Sequence, residues 1–488
     1  MPPLKLSILS DDVVNQILDE AIQLLSNPGI RVHNPEGLRL LAEAGADVDP
    51  SSQISRIPES LVHQCVGSAP KEFFLYNLTG QPTVRYGGDT VQFDPGSTAV
   101  SIYDQSTGQH RSPTTADLVK FVKLVETLPQ MDAQSTAFIC RDVPEGIGDL
   151  YRLYLALNYM QKPIVTGAFG IDTWWVMWEM LSLVAGGGDE LAKKPLAVFD
   201  VCPTPPLLWS NLTCQNLIDC ARKSVPSELV SMPLAGATSP VTLAAAVVQH
   251  AAESLSGVVI GQLANPGSPI VWGGAPAAFD MREGTTPMGD VNTWLIDMAY
   301  IQVGKSLGLP TQTYMGTSDA KTLDIQAGLE SSAGTFMAAL SGVNMVSGAG
   351  MIDFLRSQSL EKLVLDSEMI AMAKRLLAGI EVRDQPIAVD LMRKSAHQAN
   401  FLSQPHTHRW FRKELHIPSE IIDRGSLEAW QKKGSRTAIQ RATDRVESLL
   451  KNYPPSPLSE EMKAELRTLT AHAAQKHGMS TLPPLPAE

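Results

Sequence analysis

The stretch PLAVFDVC, residues 195–202, decides the fold class because nearly every position in it is apolar. Two further stretches share this character, KPIVTGAFG at residues 162–170 and SPIVWGGA at residues 268–275. A strand with one face in water alternates apolar and polar residues, whereas a strand that is buried on both faces does not. These stretches therefore predict parallel strands that are covered by helices.

Stretches of this kind alternate with helix-like stretches from Thr98 onward. Eight strand–helix units in succession predict an α/β protein with a TIM (β/α)8 barrel, since successive parallel strands are joined by right-handed crossovers. A doubly wound open sheet is the alternative, but no glycine-rich turn follows the first predicted strand. We expect the strands at Thr98–Tyr103, Gln134–Cys140, Pro163–Ala168, Leu196–Val201, Glu228–Met232, Pro269–Gly273, Thr311–Met315 and Val343–Ser347.

The regions on either side of the predicted barrel have a different character. Residues 1–95 combine helical stretches with alternating stretches that are typical of hairpins, so we expect an N-terminal α+β appendage there. The barrel is expected over residues 96–380. Residues 381–488 return to helical periodicity, which predicts a helical C-terminal extension that packs on the barrel.

Composition and charge narrow the possible functions. The chain has 488 residues, of which 44% are hydrophobic and 18% charged, and its net charge is −12. This acidity argues against binding to nucleic acid. We find no uninterrupted apolar run of about 18 residues, so we expect no membrane span, and the first residues do not resemble a signal peptide. The five cysteines are widely spaced and odd in number, which is typical of a cytoplasmic protein.

The active site of a TIM barrel lies at the carboxyl ends of its strands. Here these ends are rich in Gly, Ala, Pro and Ser, as in GAFG at residues 167–170 and PLAGATSP at residues 233–240. Small residues at the rim leave room for a large partner to dock. None of the ten histidines falls at a predicted strand end, and the common metal and nucleophile motifs are missing. We expect no metal site and a reaction that needs no protein general acid.

Several aromatic residues lie near the predicted strand ends. An aromatic residue at such a position most often belongs to the core, but a group of them can also form a cage that binds a quaternary ammonium through cation–π attraction. The candidates for this cage are Phe93, Tyr103, Phe169, Trp174, Trp272, Tyr314 and Phe354.

Longer motifs connect the chain to a known family. They include LLSNPGIRVHNPEG (24–37), YDQSTGQHRSPTTADL (103–118), FDMREGTTPMG (279–289), SDAKTLDIQAGLE (318–330) and FRKELHIPSEIIDR (411–424). Through these motifs the chain resembles, nearly from end to end, the trimethylamine methyltransferase superfamily. The members of this superfamily are enzymes with a barrel fold that depend on a corrinoid protein.

One position departs from the pattern of the trimethylamine-using members, which carry a pyrrolysine immediately before the Ser-Asp-Ala-Lys sequence. In this chain Thr317 stands there, followed by residues 318–321. The electrophilic imine of pyrrolysine holds the amine in those members, so the resemblance implies the non-pyrrolysine branch. Members of that branch demethylate quaternary amines such as glycine betaine, proline betaine, carnitine or butyrobetaine. Thr317 either contacts the substrate or only fills the space of the missing side chain.

The resemblance implies methyl transfer from a quaternary amine to the Co(I) of a corrinoid (cobalamin) that a partner protein carries. Glycine betaine, which would give dimethylglycine, is the first substrate to test because it is small and common. The larger betaines are alternatives within the same reaction. A barrel that binds a quaternary ammonium without turning it over is the alternative from another class. We also expect a homo-oligomer.

Charged residues near the strand ends have two possible roles each. A betaine carboxylate needs a cation or hydrogen-bond donors, and the candidates are Arg141, Arg282 and Arg356. We favour Arg356, because Arg141 and Arg282 stand in stretches that the family shares even where the substrate has no carboxylate. Asp319 either faces the substrate cation, or pairs with Lys321 or caps the following helix.

Overall fold

The computed structural model describes residues 4–96, 98–395, 397 and 400–486. Its N-terminal region contains α1 (Asp11–Ser26), β1 (Ile30–Val32), α2 (Pro35–Glu43), β2 (Asp47–Asp49), β3 (Ile54–Arg56), α3 (Glu59–Ser68), β4 (Glu72–Tyr76) and β5 (Pro82–Gly87). Its central region contains β6 (Gln92–Pro95), β7 (Ser101–Asp104), β8 (Gln109–Arg111), α4 (Thr115–Thr127), β9 (Gln134–Ser135), α5 (Gly148–Tyr159), β10 (Ile164–Thr166), α6 (Ile171–Ala185), α7 (Gly188–Lys193), β11 (Ala197–Val201), β12 (Leu208–Trp209), α8 (Asn211–Arg222), β13 (Ser227–Ser231), β14 (Leu234–Ala235), α9 (Leu243–Ala264), β15 (Ile270–Gly274), β16 (Ala277–Ala278), α10 (Val291–Ser306), β17 (Gln312–Thr313), α11 (Ile325–Leu340), β18 (Met345–Ala349), β19 (Met351–Ile352), β20 (Ser357–Gln358) and α12 (Leu360–Leu377). The C-terminal region contains α13 (Val389–Ser395), α14 (Pro405–Glu414), α15 (Leu427–Lys432), α16 (Ala438–Lys451) and α17 (Glu460–Lys476).

The predicted TIM barrel is confirmed, and its eight strands are β6, β9, β10, β11, β13, β15, β17 and β18. Five of them form one parallel sheet in the order β15-β13-β11-β10-β9, and three form another in the order β17-β18-β6. A single parallel bridge between Trp272 and Thr311 joins the two sheets on one side. On the other side the backbone N–H of Asp132 donates to the Phe93 carbonyl at 2.7 Å.

The first barrel strand is not where the sequence predicted it. It is β6, Gln92–Pro95, whereas the predicted strand Thr98–Tyr103 overlaps β7, which pairs with β8 and β20 in a separate sheet. All four residues of β6 are buried although two of them, Gln92 and Asp94, are polar. A strand that directs polar side chains into the barrel does not read as an apolar run. The other seven predicted strands overlap the observed barrel strands.

A hairpin from the N-terminal region closes one end of the barrel. Strands β4 and β5 pair antiparallel, and their inner side chains form one buried cluster with side chains from inside the barrel strands. The hairpin contributes Phe73, Leu75, Val84 and Tyr86, and the barrel contributes Ala133, Val165, Val198, Val271 and Met345. Substrate therefore has to enter from the opposite end, where the carboxyl ends of the strands lie.

Helix α9 is the one described helix that is long and apolar enough to cross a membrane. Most of its apolar window, 78%, is buried inside the protein, where it packs against α1, α3, α8 and α10. Its composition is that of a core helix, because it is surrounded by other helices. The five cysteines are all free, and four of them are buried.

The C-terminal helices lie against the outside of the barrel. Helix α16 packs against α4 and α12, and α17 packs against α5 and α6. Between α12 and α15 the chain runs through α13 and α14, and α14 has no buried residue.

Candidate active site

Side chains inside the barrel form layers along its axis, because alternate residues of each strand point inward. The lowest layer is the apolar cluster that the hairpin caps. A middle layer follows, which is polar and contains Asp94, Asp200, Glu228, Gln312 and Ser347. Above it, near the mouth, a second apolar cluster contains Val230, Ala275, Ala277, Met288 and Tyr314, with Cys202, Leu234 and Leu355 packed against it.

Three carboxyl groups lie in the middle layer and face one another. Ser347 donates a hydrogen bond to Asp94 Oδ1 at 2.6 Å, and the Tyr314 hydroxyl donates to Asp200 Oδ2 at 3.2 Å. Asp94 Oδ2, Asp200 Oδ1 and both oxygens of Glu228 lack a conventional donor. Among the residues that the structure describes, no basic side chain forms an ion pair with any of the three. The layer is therefore acidic, and the positive charge that acts on Asp200 is that of Arg152, which lies beyond ion-pair distance.

Burial sets the protonation of these groups. It raises the pKa of Asp94 and of Glu228 well above the usual range, and the Asp200 charge adds to both shifts. Burial also raises the pKa of Asp200, but only to about 6, because the neighbouring Glu228, the Tyr314 hydroxyl and the positive charge of Arg152 favour its ionised form. At neutral pH Asp94 and Glu228 are thus neutral, and Asp200, whose pKa is raised least, carries the negative charge.

The arrangement offers one negative charge below an aromatic hydroxyl and an apolar wall. An anion buried away from water is costly unless a cation approaches it. A cation with an apolar surface would be stabilised both by the Asp200 charge and by contact with the apolar upper layer. An arrangement of this kind favours a small cationic group beside Asp200.

The predicted aromatic cage does not form as a unit. Tyr314 lies inside the barrel, and Phe169 lies at the end of β10, 43% exposed. Tyr103 packs with Leu323 and Ile352 in a separate cluster, and Phe354 lies 3.7 Å from the Lys321 ammonium.

Three predicted cage residues have side chains outside the barrel. They cannot contact a substrate inside it, which corrects the prediction. Phe93 is buried in the main core between strands and helices, because its strand points Asp94 inward instead. The Trp272 indole donates to the Tyr300 carbonyl of α10 at 3.0 Å. Trp174 belongs to α6 and contacts the Cys220 sulfur of α8 at 3.2 Å.

The loop after β17 is tied to its neighbours by buried polar contacts. The Thr317 hydroxyl donates to the Met351 carbonyl at 3.2 Å. The two Asp319 oxygens accept the backbone N–H groups of Met288 and Gly289 at 2.9 and 2.8 Å, and burial raises the Asp319 pKa to about 6. Both Asp319 oxygens thus accept hydrogen bonds from backbone N–H groups. The role that fits Asp319 is to position the loop. The following helix is capped by Asp324.

The turn after β19 is strained. Asp353, Phe354 and Leu355 all have positive φ angles, 52°, 56° and 64°. A run of three non-glycine residues in the left-handed region costs on the order of 1 kcal/mol or more for each residue. Leu355 packs against the upper apolar layer, so the strained turn shapes the wall of the mouth.

The three predicted arginines lie at the surface. Arg282 is 86% exposed and pairs with Asp280 at 2.7 Å. Arg141 and Arg356 are exposed, and neither side chain has a hydrogen bond or ion pair within the described residues. The structure thus brings none of them to the acidic layer.

A fourth arginine, which the sequence did not indicate, lies beside the site. Arg152 of α5 is fully buried and donates to Thr98 Oγ1, the Thr136 carbonyl and the Gly167 carbonyl at 2.9, 2.9 and 3.1 Å. Its Nε has no acceptor, and the Phe169 ring covers the guanidinium at 4.5 Å. Burial lowers its pKa to about 10, while Asp149 and Asp200 oppose that shift.

The site residues that sequence reasoning missed have a common signal. Asp94, Asp200 and Glu228 are each a single acidic residue within a strand that is otherwise buried. Asp200 is the one polar residue in PLAVFDVC. An isolated acid in such a stretch has to point into the barrel or be paired.

The fold and the site together define a barrel enzyme with a small-molecule site at the carboxyl ends of its strands. The chain belongs to the trimethylamine methyltransferase (MTTB) family, whose family model matches residues 2–478. It is therefore a methyltransferase of the MttB type.

Individual relatives agree with this family. The chain is 30% identical to trimethylamine methyltransferase MttB of Desulfitobacterium hafniense over 471 residues, which covers 96% of this chain and 95% of the relative. It is 29% identical to a glycine betaine methyltransferase from another strain of that species, over 97% of this chain and 98% of the relative. The crystal structure of the Methanosarcina barkeri monomethylamine methyltransferase (MtmB) has the same fold, with a TM-score of 0.53 at 11% identity, over 92% of this chain and 89% of that one.

Proposed function

We propose that the protein transfers a methyl group from a quaternary amine, with glycine betaine as the lead substrate, to the Co(I) of a corrinoid protein. The observation that carries the proposal is the acidic middle layer of the barrel, in which no described cation pairs with Asp94, Asp200 or Glu228. A quaternary ammonium would place a positive charge directly beside Asp200. It has no N–H to donate, which suits a site whose upper wall is apolar.

The chemistry of a quaternary amine fits the residues of the site. The leaving amine departs neutral when a methyl group moves from a quaternary nitrogen, so it needs no protonation. No histidine belongs to the three interior layers described above. The tasks left to this chain are to hold the N–CH₃ axis toward the mouth and to exclude water. Asp200, Tyr314 and the upper apolar layer would perform them.

The methyl acceptor would arrive with a partner protein. Its cobalt(I) supplies the nucleophile when the corrinoid is bound. The mouth fits a large docking partner, because side chains that follow the barrel strands expose apolar surface there: Phe169 is 43% exposed, Val241 60% and Met281 61%. These three side chains would contact the corrinoid protein.

Arg152 supports a substrate with an acid tail. Three of its five N–H donors are used by neutral oxygens, and Nε has no acceptor. An arginine that is buried without a carboxylate partner is costly, and side-on pairing with a carboxylate would satisfy it. The Asp200 charge acts on Arg152, and we assign the ammonium end of a betaine to Asp200 and its carboxylate end to Arg152. Arg152 replaces Arg356 as our candidate for this contact.

Thr317 supports a substrate other than trimethylamine. It stands where the trimethylamine-using members of the family carry pyrrolysine, and its hydroxyl is bonded to a backbone carbonyl. A threonine cannot form the adduct that an electrophilic imine forms. A glycine betaine methyltransferase is among the relatives at 29% identity, but trimethylamine methyltransferases are as similar at 30%, so the argument rests on Thr317 and not on identity.

The test is methyl transfer under anaerobic conditions. The protein is mixed with reduced cob(I)alamin and, one at a time, with glycine betaine, proline betaine, carnitine, butyrobetaine and trimethylamine. We expect cob(I)alamin to disappear and methylcobalamin to form with glycine betaine. Turnover of a larger betaine alone would support the proposed reaction but assign it a different substrate. Turnover of trimethylamine would overturn the role of Thr317, and tight binding without turnover, also with a native corrinoid protein, would favour a binding protein.

A further inference from the structure

One side chain at the upper apolar layer is held there by a strained backbone. Leu355 belongs to the turn of residues 353–356, which joins β19 to β20, and it packs against the layer. Its φ angle of 64° lies in the left-handed region, which glycine adopts freely and leucine does not. Backbone strain persists where the surrounding structure holds it, and it clusters at binding sites. The strain therefore points to a role for the side chain that it places here.

The upper apolar layer borders open space inside the barrel. Cys202, Leu234 and Leu355 pack against the layer, and each of them is only half-buried. The space below the middle layer is filled by the cluster that the hairpin caps. An ammonium group beside Asp200 therefore has to place its substituents in the open space above the middle layer, which we call the head space.

The turn that carries Leu355 is fixed on both sides by backbone hydrogen bonds. The Asp353 N–H donates to the Ala320 carbonyl at 3.0 Å. The Arg356 carbonyl accepts the Ser101 N–H at 3.1 Å. The turn cannot move outward without breaking these bonds, and each buried group that loses its partner is costly. Leu355 is thus a rigid part of the boundary of the head space.

The other side chains of the layer limit the head space less strictly. Ala275 and Ala277 are small, and Met288 is unbranched and adapts its shape to its neighbours. The large branched aliphatic side chains at the layer are Leu234 and Leu355. Of these two, Leu355 is the one whose backbone is strained. It is therefore the side chain whose volume the fold maintains most firmly.

We infer that Leu355 limits the size of the ammonium group that the site accepts. A trimethylammonium group fits beside Leu355, whereas a nitrogen with larger substituents meets a side chain that cannot move away. This inference rests on the proposed function and narrows its substrate class to amines with a trimethylammonium group. If the head space were open instead, each added CH₂ would strengthen binding ~4-fold. In a closed site, added CH₂ groups weaken binding.

The experiment measures binding of ammonium ions of graded size by isothermal titration calorimetry. The full chain is used without a corrinoid protein, so that no methyl group is transferred. The probes run from tetramethylammonium through ethyltrimethylammonium to tetraethylammonium. We expect the wild type to bind tetraethylammonium ~100-fold more weakly than tetramethylammonium. Leu355→Gly should lower this ratio at least ~10-fold, because glycine removes the side chain and adopts the same φ without strain.

Leu207→Gly is the matched control. Leu207 is also a half-buried leucine with a left-handed φ angle, 52°, but it packs against the main core and not against the upper apolar layer. The control relieves the same kind of strain and removes the same side chain, so its ratio should equal that of the wild type. An equal change in both variants would overturn the inference.

Two further outcomes would also overturn the inference alone. These are binding that strengthens from tetramethylammonium to tetraethylammonium in the wild type, and an unchanged ratio in Leu355→Gly. A wild type that binds none of the probes would overturn the proposed function and this inference with it.

Far-UV circular dichroism shows whether Leu355→Gly is folded. If it is not, Leu355→Ala, which removes most of the side chain but restricts the backbone more than glycine does, should lower the ratio instead. Unfolding of both variants would show that Leu355 is a core residue, and the inference would fail.

Discussion

Replacing Asp200 by Asn removes the charge that we propose attracts the substrate cation, and changes little else. Asn has the same shape, and its side-chain oxygen still accepts the Tyr314 hydroxyl that lies 3.2 Å from Asp200 Oδ2. With a separation of about 5 Å and an effective dielectric constant of about 20, one charge pair contributes about 3 kcal/mol. After the cost of desolvation, we expect the dissociation constant for glycine betaine to rise ~10–100-fold.

The same change should affect kcat much less. The positive charge on nitrogen fades as the methyl group leaves, so Asp200 stabilises the bound substrate more than the transition state. Isothermal titration calorimetry gives the dissociation constant, and single-turnover methyl transfer to cob(I)alamin gives the rate. A variant that binds normally but reacts more than ~100-fold slower would contradict the assignment of Asp200 to binding.

The pH dependence of binding has a defined sign. The pKa of Asp200 is raised to about 6 in the folded protein, so glycine betaine should bind more tightly as the pH rises through 6. In the free protein, the stability that Asp200 contributes is present below its unfolded pKa and is lost as the pH rises through about 6. Asp200→Asn should abolish both effects.

Asp297→Asn is the matched control for Asp200→Asn. Asp297 is fully buried, but it belongs to α10 outside the barrel. Burial raises its pKa well above the usual range, so it is neutral and the substitution removes no charge. Its binding and its pH profile should match those of the wild type. If both variants lose binding equally, the effect of Asp200 is structural.

Three further predictions concern other parts of the structure. Arg152→Gln should raise the KM for glycine betaine by ~10–100-fold. The dissociation constant of tetramethylammonium should stay unchanged, because this ligand has no carboxylate. Equally weakened binding of both ligands would mean that Arg152 only holds the strands together. Asp319→Asn should lower the free energy of unfolding by about 1–3 kcal/mol, because a backbone N–H loses its acceptor. Urea unfolding measures this loss, and a betaine titration should show normal binding. Weaker binding without a loss of stability would instead place Asp319 next to the substrate cation. Leu75→Ala in the hairpin that closes the barrel should cost about 2–5 kcal/mol in the same unfolding assay, and a cost below about 1 kcal/mol would refute the hairpin's role as part of the core.

The architecture was predictable because buried parallel strands have a distinctive composition. Residues 164–166, 197–201 and 270–274 all read as apolar runs and are all barrel strands. Strand β6 failed this test because two of its four residues are polar: Gln92 bonds the Arg85 backbone of the hairpin, and Asp94 points into the middle layer. Apolar composition identifies a strand between a core and helices, but not a strand that lines a functional cavity.

The site was much harder to predict than the fold, and for the same reason. Phe93 and Trp272 lie on barrel strands near the carboxyl ends, but strand alternation turns their side chains toward the helices. The inward neighbour of Phe93 is Asp94. A register error of one residue therefore exchanges core and site, and the position of a residue along a strand does not reveal its direction.

Arg152 could not be recognised because it approaches from a helix. It lies within α5, in a stretch where every residue is buried, and it reaches two strands and the segment after β6 only in the folded protein. The arginines that follow strands in the sequence, Arg141, Arg282 and Arg356, are at the surface instead. Tyr314 was a candidate because it lies near the end of a predicted strand, and the structure shows that it points into the barrel.

One measurement tests the central claim most directly. Glycine betaine that carries ¹³C in its N-methyl groups is incubated anaerobically with the protein and a reduced corrinoid protein, and NMR follows the label. We predict that methylated corrinoid and dimethylglycine appear in equal amounts, and that Asp200→Asn needs far more betaine to reach the same rate. Betaine that stays intact while it binds in the barrel, or labelled methyl that reaches the corrinoid without dimethylglycine, would contradict the account.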